Sequence, residues 1–271
     1  MKRNLLDFSA AAFLTVVASL ILASCSTAPV TGRRQLSLVS SEQEMQLGLT
    51  SFDQLKKDVP VSQDPTANAM VQRVGKRIAA AAAKDLPNAQ WEFVVFESKE
   101  ANAFCLPGGK IGVYTGLLPI AKDDAGLATV LGHEVAHAAA HHGAERMSQQ
   151  LVLQGGEKLL GTGLANFDPK VQQLATLAYG AGAQVGIELP FSRQDESEAD
   201  HIGLVYMARA GYDPQQALAF WQRFSTAVGN QGGTPAFLRT HPLTEARIQQ
   251  LKQEMPQALA EYQASQQRIT H

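Results

Sequence analysis

The chain has 271 residues, 45% of them hydrophobic and 18% charged, and carries a formal net charge of -2. That length supports a proper buried core in one or two domains. A balance so near neutrality gives no electrostatic reason to expect nucleic acid, which normally needs a basic face, and the sequence holds no low-complexity tract and no internal repeat.

In chain order, Lys2 and Arg3 precede a largely apolar run that ends at Cys25. A positive start followed by such a run reads as a secretory signal over residues 1–24. It is somewhat short for a membrane span, which takes about 20 apolar residues; the alternative is a retained anchor helix. Leu22-Ala23-Ser24-Cys25 resembles the bacterial lipobox. That resemblance implies lipidation of Cys25 and anchoring by acyl chains, and Ser26 in place of Asp implies the periplasmic face of the outer membrane. With Cys25 acylated, Cys105 has no partner for a disulfide and reads as a small buried hydrophobe.

Residues 25–41 read as a lipid-anchored tether, and residues 42–271 as one domain. A helix is expected from Ser41, with Glu44 completing a capping box. A second follows Asp64 and Pro65, with Met70, Val71, Val74 and Ile78 as its buried stripe. Residues 91–98 and 102–118 are rich in β-branched and aromatic residues and contain a Pro-Gly-Gly turn, which predicts a small sheet. Helical character returns at Asp123-Asp124 and is expected to continue past His142. Four glycines break it within 154–167, and Asp168-Pro169 restarts a helix to about Gly186. Ser192 caps the next helix, which stops at Gly211, and two or three helices close the chain. The fold class is α+β, mostly helical with one small sheet.

Four of the seven histidines lie between residues 133 and 142. His133, Glu134 and His137 form the pattern HExxH. On a helix, residues four apart share a face, with β-carbons about 5–6 Å apart, so both imidazoles can reach one zinc ion. Glu134 is turned about 100° from His133 and flanks the metal without ligating it. There it can serve as general base to a water whose pKa the metal lowers to about 7. Leu131, Val135 and Ala138 form a separate apolar face, while Ala136 and Ala140 keep the ligand side small. His141, His142 and His201 read as surface or helix-end groups.

A catalytic zinc site needs a third protein ligand and an open position. Glu196 and Asp200 are four residues apart on one helix face, whereas Glu198 is about 200° from Glu196 and points away. Glu196 as ligand and Asp200 as acceptor for a histidine N–H make a coherent pair, the alternative being a solvated, charged helix start. Ala199 and Gly203 keep that side small.

The segments at 102–118, 131–143, 191–200 and 240–248 occur in this order. Together they resemble the HtpX and CAAX-prenyl-protease-like gluzincins, zinc metallopeptidases with HExxH and a downstream ExxxD, in their periplasmic lipoprotein branch. The resemblance spans roughly residues 40–255 and implies a zincin-type domain. It also implies one zinc per chain on His133, His137 and Glu196, with Glu134 as general base and acid, Asp200 behind a ligand, and an active-site role for His241. Cys105 stands where alanine is common in the family. Neither the internal spans of the HtpX type nor a C-terminal repeat domain is expected from residues 1–271, so partner binding is not carried over from repeat-bearing members.

The expected substrates are unfolded or misfolded proteins and peptides. A peptide is expected to add to the sheet edge at Asn102 and Ala103, although Asn102 also suits a turn. His241 has two alternative roles, stabilising the oxyanion or filling the open zinc position until displaced. The Gly-rich run 154–167 is a candidate lid. Family and address suggest quality control of misfolded envelope proteins, with outer-membrane assembly machinery as a partner. The rivals are a periplasmic chaperone with a structural zinc and another zinc hydrolase.

Overall fold

The computed structural model describes residues 25–153, 191–229 and 236–269. The signal segment 1–24, the Gly-rich run 154–167 and the helix expected over 168–186 lie outside the described residues.

Two short strands, β1 (Cys25–Thr27) and β2 (Arg34–Leu36), pair antiparallel with Cys25 opposite Leu36. The segment expected as a tether is therefore partly a docked hairpin. Helix α1 (Ser41–Asp58) follows; its cap is Ser40, one residue earlier than expected, and the box is closed by Gln43 instead of Glu44. Helix α2 (Pro65–Ala81) starts as its sequence dictates, Asp64 accepting from the backbone N–H of Thr66 and Ala67. Val71, Val74 and Ile78 are buried along it, and Met70 only in part.

The sheet comprises β3 (Glu92–Phe96), β4 (Ala103–Leu106) and β5 (Lys110–Tyr114), in spatial order β3-β5-β4. β3 runs parallel to β5 and β4 antiparallel to it, so β4 is an edge strand. The reversal between β4 and β5 needs glycine, because Gly108 and Gly109 have φ of 81° and 78°. A 3-10 turn and the short α3 (Leu118–Ala121) lead into α4 (Asp124–Ala139), capped by Asp123.

Helix α4 is buried on every side from Gly126 to Ala139, its ligand side with His133, Glu134 and His137 as well as its apolar face. It lies between β4 and α6 (Arg193–Arg209), with α2 also against it. α4 does not run past His142: it ends at Ala139, His141 takes a left-handed φ of 54°, and α5 (His142–Leu153) sets off afresh. Helices α7 (Gln215–Gly229), α8 (Ala236–Thr240) and α9 (Glu245–Ile269) complete the described chain. The α+β class, mostly helical with a small mixed sheet, is as the sequence predicts.

α4 and α6 meet backbone to backbone. A β-carbon on Gly132 would sit 2.8 Å from the Gly203 carbonyl oxygen, and one on Gly203 would sit 2.9 Å from the His133 nitrogen. This approach brings the two motif-bearing helices within side-chain reach of each other. Gly203→Ala is expected to force them apart at a cost of about 1–3 kcal/mol. Thermal unfolding checks it: an unchanged midpoint would show that the interface yields freely.

Candidate metal centre

His133 and His137 project from one face of α4, and Glu196 reaches them from the first turn of α6. Their ligand atoms converge. His133 Nε2 lies 3.1 Å from His137 Nε2 and 3.5 Å from Glu196 Oε2, and His137 Nε2 lies 3.4 Å from Glu196 Oε1. His241 enters from the loop after α8, its Nδ1 3.3 Å from His133 Nε2 and 2.9 Å from Glu196 Oε1.

Four donors at 2.0–2.1 Å from a tetrahedral zinc would stand roughly 3.3–3.4 Å apart. The observed spacings bracket that value, and the four residues form the metal-capable cluster found among the described residues. The donor set, three imidazoles and a carboxylate, suits zinc. All four side chains are buried.

Burial pushes the Glu134 carboxyl up, against the lowering influence of His241 and His133. Its Oε1 has no hydrogen-bond partner and lies 3.5 Å from His241 Nε2. Burial also holds His137 well below the usual histidine range. For His133, burial is outweighed by the Asp200 and Glu196 carboxylates, which raise it to about 9. Glu196 resists the same burial because His241 and Arg247 hold it well below the ordinary carboxylate range. Metal binding would displace the histidine protons in any case.

Asp200 Oδ1 sits 3.1 Å from His133 Nδ1, close but not aligned for a hydrogen bond. Asn102 and Ala103 stand at the head of edge strand β4, and both are buried. The Asn102 side chain accepts from the Ala103 N–H at 3.0 Å, which occupies one donor of that edge. Phe237 N–H reaches the Ala101 carbonyl at 3.4 Å, so the segment bearing His241 abuts the start of β4. Cys105 is buried and free, its thiol pushed up by burial and by the Glu134 charge. Cys25 is the first residue of β1.

Some residues matter in ways the sequence reading missed. His142 is fully buried and not a surface group: Nδ1 is 2.8 Å from His137 Nδ1 and Nε2 is 3.0 Å from Glu198 Oε2. The break of α4 turns it inward, and no periodicity in the sequence announces that break. His141, half-buried, pairs with Glu44 at 2.7 Å, and His201 lies 3.4 Å from Glu254. Arg247 on α9 is buried; its Nη1 lies 2.5 Å from Glu196 Oε2, while Nε and Nη2 fork onto both oxygens of Asp200. Charge balance could have found it, because two carboxylates buried together demand a cation. Aromatic rings wall the cluster, with His137 stacked on Phe191, His241 on Phe237 and His133 edge-on to Trp221.

Among the described residues, no helix is long and apolar enough to cross a membrane.

A family model described as Peptidase family M48 matches residues 65–255. The mitochondrial metalloendopeptidase OMA1 of Schizosaccharomyces pombe is 34% identical over 241 residues, covering 88% of this chain and 68% of that protein. The Saccharomyces cerevisiae protein of the same name is 32% identical over 289 residues, covering 97% and 80%. The Escherichia coli beta-barrel assembly-enhancing protease is 30% identical over 255 residues, 92% of this chain but only 51% of that protein. With HExxH and its downstream acidic pair drawn together in the fold, the chain belongs to peptidase family M48 and is a metalloendopeptidase.

Proposed function

We propose that this metalloendopeptidase is zinc-dependent, holding one zinc ion on His133, His137 and Glu196, with His241 at the fourth corner in the state described. The observation that carries this is the convergence of four donor atoms at tetrahedral spacing. Bound zinc would supply Lewis acidity and an activated water. The rest of the chemistry falls to the chain. Glu134, buried with a free oxygen at the cluster, takes a proton from the attacking water and returns it to the leaving nitrogen. Asp200 buttresses His133, and Arg247 neutralises the carboxylates. The substrate strand aligns along β4 at Asn102 and Ala103 once the His241 segment withdraws.

Four protein ligands are also what a closed structural zinc has. In an endopeptidase that arrangement supports His241 as a removable ligand over His241 as the oxyanion donor. The apolar run ending in the lipobox-like Leu-Ala-Ser-Cys supports a signal over 1–24 and a lipid anchor at Cys25 on the periplasmic face of the outer membrane. Residues 25–41 then connect to a peptidase domain over 42–271. Substrates on this reading are misfolded envelope proteins, with outer-membrane assembly machinery as partner; the Escherichia coli relative is named as a protease that enhances beta-barrel assembly.

One experiment tests the site. Unfolded casein is offered to wild type, chelator-stripped protein and His241→Ala, with zinc content measured alongside. The expected results are about one zinc per wild-type chain, cleavage lost on stripping and restored by zinc, and faster cleavage by His241→Ala. Cleavage that survives stripping would overturn the metal assignment, and slower cleavage with unchanged zinc would return His241 to oxyanion stabilisation.

A further inference from the structure

His137 has an outward-facing nitrogen, and a continuous line of contacts runs from it to the first hairpin. His137 Nε2 faces the metal cluster, and its Nδ1 meets His142 Nδ1 at 2.8 Å. His142 Nε2 lies 3.0 Å from Glu198 Oε2. Arg33, one residue before β2, donates from Nε to the same Glu198 oxygen at 2.6 Å. Its Nη1 and Nη2 fork onto Glu145 at 3.2 and 2.8 Å. Thr31 donates to the other Glu198 oxygen. Arg33 thereby joins the hairpin to the starts of both α5 and α6.

The donors and acceptors fit only one direction. A ligating Nε2 carries no proton, so neutral His137 holds its proton on Nδ1 and donates to His142 Nδ1. His142 must then carry its own proton on Nε2, where Glu198 accepts it. Glu198, which receives Arg33 as well, is fixed in place by the hairpin. Groups behind a metal-bound imidazole set its tautomer and ring orientation and raise its basicity.

We infer that Arg33, Glu198 and His142 form a positioning chain for His137, so that the segment directly after Cys25 is part of the metal centre and not only a tether. The inference rests on the proposed role of His137 as a zinc ligand. Its consequence is that displacing the hairpin loosens the metal without touching a ligand.

The test uses the full-length protein in detergent. Zinc affinity is measured by competition with a chromogenic chelator, and ligand geometry by the visible spectrum of the cobalt-substituted protein. The variants are Glu198→Gln, Arg33→Ala, Arg33→Lys and the Arg33→Ala/Glu198→Gln double. Glu198→Gln is expected to weaken zinc binding by roughly 10–100-fold and shift the cobalt bands. Arg33→Ala acts in the same direction and Arg33→Lys recovers part of the loss. The double variant matches Glu198→Gln alone, because both substitutions act through one chain. Unchanged zinc affinity in either Glu198→Gln or Arg33→Ala, even with a lowered melting temperature, would overturn the inference and leave a structural ion-pair network. Additive losses in the double variant would overturn it too. Wild type that binds no zinc would instead sink the ligand assignment itself, and that is read before any substitution.

Discussion

Glu134→Gln is expected to lower turnover by about 100- to 10,000-fold while leaving zinc content and melting temperature intact. The expectation follows from where the side chain sits. It is buried beside the four-donor cluster, stands outside the ligand set, and offers an oxygen that no other group uses. Burial already penalises its charge, so a neutral amide of the same shape costs the fold nothing. The amide cannot accept the proton, and that is the whole loss. Casein cleavage and metal analysis on one preparation decide the matter. A variant that retains near-wild-type turnover would move the general base elsewhere.

The second large effect concerns stability. Arg247 is the cation that makes the burial of Glu196 and Asp200 tolerable, touching the first at 2.5 Å and the second through two hydrogen bonds of 2.7 and 2.8 Å. Arg247→Met keeps most of the stem and takes from both carboxylates the guanidinium they share. Breaking a buried pair in this way costs about 3–5 kcal/mol. For a domain of this size that lowers the melting temperature by roughly 6–20 °C, read on metal-free protein.

The pH dependence has a definite sign. Burial alone would raise both carboxyls, but their partners hold Glu196 and Asp200 below the ordinary range. Their contribution is therefore fully present above the unfolded-state value of about 4 and is lost as pH falls through the depressed folded values. In Arg247→Met the gap between variant and wild type should close on acidification. A midpoint difference that is small at neutral pH, or that widens in acid, would contradict this account.

What the sequence disclosed and what it hid divide along physical lines. HExxH on α4 and the acidic pair on α6 are local patterns, and the 3.6-residue period alone predicts which side chains share a face. The small residues that let the helices meet are half legible: the spacing marks Gly203 as small lining beside Glu196, while nothing local marks Gly132. Arg247, Glu198 with Arg33, and His142 escaped for a different reason. Each acts on a residue far away in sequence or across a helix break, and no period encodes such a contact. His142 is the sharpest case, since a continuous helix would have carried it to another face, and the left-handed His141 turns it onto His137.

The segment running from Ala236 to His241 touches two surfaces at once. Phe237 is tied to the chain at the start of β4, and four residues later His241 stands at a corner of the metal cluster. A ligand that needs both places meets a single obstacle, and the free energy of moving it is subtracted from binding once. If that segment is the removable block proposed above, competence becomes a population: the fraction of molecules with it withdrawn scales apparent affinity. On that proposal, discrimination among substrates would be exercised in time as well as in shape, in favour of chains that stay near the edge until an opening occurs.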